Sequence, residues 1–233
     1  MVKLDKQKIA AIVPALNEEA NVGRVLKVLL GYKGIEEVIL VDDGSTDKTA
    51  EIGVKLGVKV VRLSKIGGSG KGNAMKQGVM ATDADIVVFF DADLIGLTEE
   101  HISALIKPML DEGIEMCVGL RGRLMGLPQL IAKIDPLMAI GGERAVRRRL
   151  FKSIPDKLIG GFMVESALNY YCLAKKLSVK YVVLKNIGMV IKEKKWGLVR
   201  GFSSRIKMFC QIIKIRLIII FNKNEFIQKD NAR

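Results

Sequence analysis

Four carboxylates stand where two apolar runs end. Val38-Ile39-Leu40-Val41 runs into Asp42-Asp43-Gly44-Ser45, and Ile86-Val87-Val88-Phe89-Phe90 runs into Asp91-Ala92-Asp93. Runs this rich in Val and Ile read as strands buried on both faces of a parallel sheet. Open α/β sheets bind ligands at the carboxyl ends of their strands. Two carboxylates one residue apart at such an end, Asp91 and Asp93, suit a hard divalent cation, Mg²⁺ or Mn²⁺, that also holds phosphate oxygens. That is the chemistry of an enzyme acting on a nucleotide diphosphate. Solvated loop acids are the plain alternative; the place after a buried strand and the second acidic pair upstream weigh against it.

A glycine-rich loop, Ile66-Gly67-Gly68-Ser69-Gly70-Lys71-Gly72, offers a second phosphate contact. It is not a P-loop, which needs Gly at position 65 and Ser or Thr at 72; the chain has Lys65 and Gly72. Backbone N–H groups and Lys71 can still approach a phosphate or a base closely. A simple turn is the other use of these glycines.

The elements that must position these groups alternate. Strands are expected at Ile9–Val13, Val38–Val41, Val58–Leu63, Ile86–Phe90 and Met116–Leu120. Between them the periodicity predicts helices over Ala20–Leu30, Asp47–Leu56, Ala74–Ala81 and Thr98–Leu110, with Ser45 or Thr46 capping the second. Repeated β-α-β units give an α/β fold with a doubly wound parallel sheet. Residues 122–142, with several Gly and Pro, read as a mobile, partly helical connection. A basic helix over Glu143–Lys152, a helix over Met163–Lys176 and a last strand over Val179–Leu184 follow. Beyond Trp196 the pattern is helical to Phe221.

The chain of 233 residues is long enough for a sizeable core, and its 49% hydrophobic content is that of a globular protein. Cys117, Cys172 and Cys210 match no zinc spacing and read as reduced packing residues. The amino terminus has no apolar signal region, so a cytoplasmic protein is expected. The net charge of +13 is uneven. Residues 1–100 hold 13 basic and 15 acidic residues, the remainder 25 and 10. The second half therefore suits an anionic partner: nucleic acid, an acidic membrane surface or a phosphorylated acceptor. Few aromatics and no recognisable module argue against nucleic acid.

Four motifs in order carry a resemblance over residues 9–121. They are Ile12-Val13-Pro14-Ala15-Leu16-Asn17-Glu18-Glu19, Val41-Asp42-Asp43-Gly44-Ser45-Thr46-Asp47, Gly70-Lys71-Gly72-Asn73-Ala74 and Asp91-Ala92-Asp93. Together they resemble the successive signatures of family 2 glycosyltransferases with the GT-A fold. The resemblance implies a Rossmann-like, mostly parallel sheet flanked by helices, and sugar transfer from a UDP- or GDP-sugar. It places Pro14, Ala15, Leu16, Glu18, Asp42, Asp43 and Ser45 around the nucleoside, Gly70 and Lys71 near base or phosphate, and Asp91 with Ala92 near ribose and metal. Asp93 would ligate the metal and serve catalysis.

Gly141-Gly142-Glu143-Arg144-Ala145-Val146-Arg147-Arg148 and Gly161-Phe162-Met163-Val164-Glu165 are similar to the acceptor region of glucosyl-3-phosphoglycerate synthases and related small glycosyltransferases. The resemblance makes Glu165 a contact of the transferred sugar or a catalytic group, and puts Gly142 and Arg144 on the acceptor side. Arg144, Arg147, Arg148 and Arg149 would form a cationic helix face for a phosphate, since guanidinium groups bind it bidentately; a merely solvated face is the alternative. One departure stands out: those synthases carry a metal-ligating His after the last strand, where this chain reads Ile187-Gly188-Met189-Val190-Ile191-Lys192. The only histidine, His101, is expected at the surface.

The tail alternates basic residues with Trp196, Phe202, Phe209 and a run of Ile and Leu. It lacks the ~20 uncharged apolar residues of a spanning helix. A basic amphipathic helix lying on the inner face of the membrane is expected, with packing on the core or in a homodimer as the alternative. The expected organisation is one domain over 1–195, with a nucleotide-sugar half (1–121) and an acceptor half (122–195), and a tail over 196–233. The tail favours polyprenyl phosphate or another lipid-linked acceptor. A soluble phospho-acid acceptor is the close alternative; a nucleotidyltransferase and a silent nucleotide-sugar binder are the other classes.

Overall fold

The computed structural model describes residues 7–121, 142–160 and 163–189. The connection over 122–141, Gly161, Phe162 and the basic tail lie outside the described residues.

The chain opens with β1 (Ile9–Ala15), α1 (Val22–Gly31), β2 (Glu37–Asp42), α2 (Thr49–Lys55), β3 (Lys59–Arg62), α3 (Lys71–Met80) and β4 (Ile86–Phe89). The short β5 (Leu94–Ile95), α4 (Glu99–Asp111) and β6 (Met116–Arg121) follow. Then come β7 (Arg144–Arg147), α5 (Arg148–Lys152), a 3₁₀ turn at Asp156–Leu158, α6 (Met163–Ala174), β8 (Val179–Leu184) and β9 (Gly188–Met189). Seven strands form one sheet in the order β3-β2-β1-β4-β7-β6-β8, and β5 pairs with β9 separately.

Both faces of this sheet are buried because its strands have apolar residues at successive positions. Ala10, Ile12, Val87 and Phe89 pack beneath α3, α5 and α6, while Ile9, Ala11, Val13, Val88 and Phe90 pack beneath α1 and α4. The result is a three-layer α/β/α arrangement, the expected class.

One strand departs from the expected parallel sheet. β7 runs antiparallel to β4, with Phe89 opposite Arg144 and Ile86 opposite Arg147, and antiparallel to β6. Its amino end therefore sits at the carboxyl edge of all the other strands. This corrects the basic helix expected over Glu143–Lys152. Only Arg148–Lys152 is helical. The segment Arg144-Ala145-Val146-Arg147 fills the gap between two buried strands, and the ladder bonds gained there outweigh its helix propensity.

Two local expectations also change. α2 begins at Thr49 without a side-chain cap, and Ser45 Oγ instead accepts the Asn17 N–H at 2.9 Å. His101 is buried rather than exposed. Its Nδ1 accepts the Thr98 N–H at 3.1 Å in a capping box, and its Nε2 bonds the Lys185 carbonyl at 2.7 Å. Cys117 and Cys172 are buried and free, as expected, and burial pushes both thiols up to about 12. Among the described residues no helix is long and apolar enough to cross a membrane.

Candidate active site

The carboxyl edge of the sheet collects the chemistry. β1 ends at Ala15 and β2 at Asp42, in register with each other. Asp42 Oδ1 accepts the Ser45 N–H at 3.0 Å, and its Oδ2 lies 3.4 Å from Arg62 Nε. Asp43 braces the glycine loop: its Oδ1 accepts the Ser69 N–H (2.8 Å) and hydroxyl (2.6 Å), and its Oδ2 the Gly70 N–H (2.8 Å). Leu16 rests beside Gly68, where a Cβ would come within 3.0 Å of its Cδ2. Glu18 donates its N–H to Thr49 Oγ1 at 2.8 Å and accepts from Asn21 Nδ2 at 3.0 Å. Pro14 and Ala15 at the end of β1, Asp42 at the end of β2, and Leu16, Glu18, Asp43 and Ser45 in the segments after them thus lie at the same sheet edge as the glycine loop.

The loop delivers Lys71 as the first residue of α3, after Gly70 in a left-handed conformation (φ 102°). An ammonium there opposes the positive helix end, so it needs strong partners. It has two: Asp91 Oδ1 at 2.7 Å and Glu165 Oε1 at 2.8 Å. Glu165 belongs to the first turn of α6, where a carboxylate is favoured. The second oxygen of Asp91 receives Arg121 Nη2 at 2.8 Å. Arg121 also grips Glu143, through Nη2 at 2.5 Å and Nε at 3.1 Å.

These contacts set the ionisation of the cluster. Burial works against charge on Asp91, but Lys71 and Arg121 outweigh it and hold the carboxyl at about 2. Burial likewise opposes charge on Lys71, and Asp91 with Glu165 outweigh it, raising the ammonium above its ordinary value. Glu143 is raised, first by its complete burial and then by Asp91.

Arg144 does not line an open acceptor face. It is fully buried, where burial lowers its pKa against the pull of Glu165. Its Nη1 donates to the Glu165 carbonyl at 3.2 Å and to Asn169 Oδ1 at 3.4 Å, and Nη2 lies 3.9 Å from Glu165 Oε2. Arg147 leaves the site altogether: it donates to Gln7 Oε1 and the Met109 carbonyl at the opposite edge of the sheet. In a strand, residues three apart differ by roughly 10 Å along the chain and face opposite sides, so one helical face cannot hold both. Gly142 is adjacent to the chemistry, since a Cβ there would lie 2.5 Å from Asp91 Oδ2.

The cluster fits a hard divalent cation. Asp91 and the buried Asp93 follow β4 with one residue between them, Gly142 lies directly against Asp91, and the side chains of Lys71 and Arg121 already stand against its carboxylate. No group of three or more His, Cys, Asp or Glu suited to a metal occurs among the described residues. A cation held by one or two carboxylates takes its other ligands from phosphate and water. Ala92, between the two acids, is buried. Motif reading passes over Arg121 and Glu143; the signal was there, since Arg121 ends an apolar run as the acids end theirs.

Comparison with known proteins decides the family. The model described as glycosyl transferase family 2 matches residues 10–167. The chain belongs to that family. It is 31% identical over 191 residues to glucosyl-3-phosphoglycerate synthase of Mycolicibacterium smegmatis, covering 69% of this chain and 62% of that protein. An uncharacterized protein of Methanocaldococcus jannaschii is 38% identical over 125 residues, 51% of this chain and 49% of the other. The chain thus spans 49% and 62% of the length of these two curated relatives. Among solved structures it is similar to glucosyl-3-phosphoglycerate synthase of Mycobacterium tuberculosis in complex with Mn²⁺, UDP-glucose and phosphoglyceric acid. The TM-score is 0.66 at 31% identity, over 79% of this chain and 72% of that one. The fold is therefore the GT-A type expected.

Proposed function

We propose that this protein transfers a sugar from a UDP-sugar to a small phosphorylated acid, with Mn²⁺ or Mg²⁺. The observation that carries the reading is the Lys71–Asp91–Glu165 cluster at the carboxyl edge of a family 2 sheet. The relatives matched over two thirds of the chain act in glucosyl-3-phosphoglycerate synthesis by name, and one binds a UDP-sugar, Mn²⁺ and phosphoglyceric acid together. They favour the phospho-acid acceptor over the lipid-linked one that the basic tail suggests.

The family resemblance and this geometry support the following roles. Pro14, Ala15, Leu16, Glu18, Asp42 and Ser45, at the carboxyl ends of β1 and β2, would frame the nucleoside, and Asp43 braces the glycine loop beside them. Asp91 and Asp93 would hold the metal, which when bound neutralises the diphosphate leaving group. Lys71 adds its charge to the same diphosphate, the electrostatic contribution that dominates such chemistry. Glu165 Oε2 is buried without a hydrogen-bond partner among the described residues; a sugar hydroxyl would satisfy it. Arg144 acts as a positioning residue for Glu165, and Gly142 keeps the acceptor side of Asp91 open. A phosphate acceptor arrives ionised and needs no base, whereas a hydroxyl acceptor attacking with inversion would. The division into a donor half (1–121) and an acceptor half (122–195) belongs to this proposal.

An acceptor panel tests it. The full chain with Mn²⁺ is given UDP- and GDP-sugars together with 3-phosphoglycerate, glycerol phosphate or polyprenyl phosphate, and products are read by mass spectrometry. The reading expects a glycosylated phospho-acid and free UDP. Product on polyprenyl phosphate alone would move the acceptor to lipid. No product from any nucleotide-sugar, but pyrophosphate release in a separate mixture of a nucleoside triphosphate and a sugar 1-phosphate, would make the protein a nucleotidyltransferase.

A further inference from the structure

Cations already stand on both sides of Asp91. Lys71 Nζ spans Asp91 Oδ1 (2.7 Å) and Glu165 Oε1 (2.8 Å), and Arg121 Nη2 holds Asp91 Oδ2 (2.8 Å). Among the described residues, Lys71, Arg121 and Arg144 bring three positive charges, and Asp91, Glu143 and Glu165 three negative ones; Asp93, two positions after Asp91, adds one more. The side chains of the six are between 0% and 23% exposed. A divalent cation arriving alone would have to displace an ammonium from Asp91, and would leave surplus positive charge in a poorly solvated cluster. Uncompensated buried charge is strongly unfavourable. A cation arriving with a nucleoside diphosphate brings its own negative charge. The same diphosphate gives Lys71 a new partner at the amino end of α3, where phosphate is favoured. The flexible four-carbon stem of Lys71 allows that exchange.

We infer that Lys71 is a built-in stand-in for the divalent cation, so that the metal enters the site only together with the nucleotide diphosphate. The inference rests on the donor-site reading above and deepens it. Lys71 is then a switch of partners: Asp91 and Glu165 in the free protein, the diphosphate in the loaded one. Coupling of this kind is reciprocal, so Mn²⁺ tightens UDP by the factor by which UDP tightens Mn²⁺.

The test measures Mn²⁺ uptake by the full chain from the loss of the free-ion electron paramagnetic resonance signal, with and without UDP, against UDP alone. The wild type takes up Mn²⁺ weakly by itself and about tenfold or more tightly with UDP. Lys71→Met, which keeps the bulk and removes the charge, takes up Mn²⁺ without nucleotide about tenfold more tightly than the wild type, and its dependence on UDP shrinks. Lys71→Gln, still able to donate to Glu165, behaves the same way and serves should the methionine variant not fold. Glu165→Gln disturbs the same cluster but leaves Lys71 on Asp91, so its nucleotide-free uptake stays weak. Equal uptake by the wild type with and without UDP overturns the inference while leaving the donor site standing. So does a folded Lys71 variant with no gain, or an equal gain in Glu165→Gln. A wild type that takes up neither Mn²⁺ nor UDP in any combination removes the donor-site reading as well.

Discussion

Asp91 is the residue on which the charge balance turns. Its carboxyl lies at about 2 against an ordinary 3.8, so it is a depressed acid. Its pairing stabilises the fold fully above 3.8 and is lost as the pH falls toward about 2. Asp91→Asn is expected to remove part of this dependence: denaturant midpoints of wild type and variant converge as the pH is lowered through that window. Arg121 has the opposite exposure to risk, because Glu143 behind it is completely buried. Arg121→Ala leaves that carboxylate without its two charge-assisted bonds and should cost about 3 kcal/mol or more near neutral pH. Arg121→Ala combined with Glu143→Gln should recover a good part of that loss in urea unfolding, since a neutral amide is cheaper to bury. Full additivity of the two changes would deny the pairing.

At the scale of elements, two glycines carry the geometry. Gly44 follows the Asp42–Asp43 pair at φ +82°, and a Cβ would lie 2.0 Å from the Lys65 carbonyl oxygen. The glycine loop closes on it, with the Gly67 N–H donating to the Gly44 carbonyl at 3.1 Å. Gly44→Ala should destabilise by about 2 kcal/mol or more and weaken nucleotide binding, as a melting curve and a UDP titration would reveal. Gly78 poses a contest of magnitudes. Alanine gains about 1 kcal/mol of helix propensity in α3, but its Cβ would meet Ile12 Cγ2 at 2.4 Å. Overpacking of this kind costs about 1–3 kcal/mol. Gly78→Ala is expected to destabilise on balance; a raised melting temperature would show that α3 can lift off β1.

The same scale shows what could be read in advance. The strands of the donor half were legible, because apolar runs bounded by turn residues leave few alternatives. The place of Asp42, Asp91 and Lys71 at one edge of the sheet was legible because each sits where a strand ends or a helix begins. Arg144 and Arg147 were not. Arg144-Ala145-Val146-Arg147 followed by Arg148-Arg149 carries helix-forming residues, and only the gap between β4 and β6 makes the first four a strand. That inversion buries Arg144 behind Glu165 and sends Arg147 to the far edge. His101 misled for a similar reason. Its burial comes from the Lys185 carbonyl, 84 positions away, which no local pattern announces.

At the scale of the whole, the described residues are organised around a seven-stranded sheet whose carboxyl edge gathers residues from β1, β2, β4, β6 and the inverted β7, with α3 and α6 adding Lys71 and Glu165. Sheet order, not sequence distance, brings Arg121 to Asp91. The account stands on that edge being the place where a nucleotide-sugar and a metal meet. Calorimetric titration of UDP-glucose into the full chain with Mn²⁺, wild type against Asp93→Ala, tests it most directly. One site is expected in the wild type, with an affinity loss in Asp93→Ala larger than the ~100-fold that follows removal of a group merely supporting a ligand. Absent binding in the wild type, or unchanged affinity in a folded Asp93→Ala, would contradict the account.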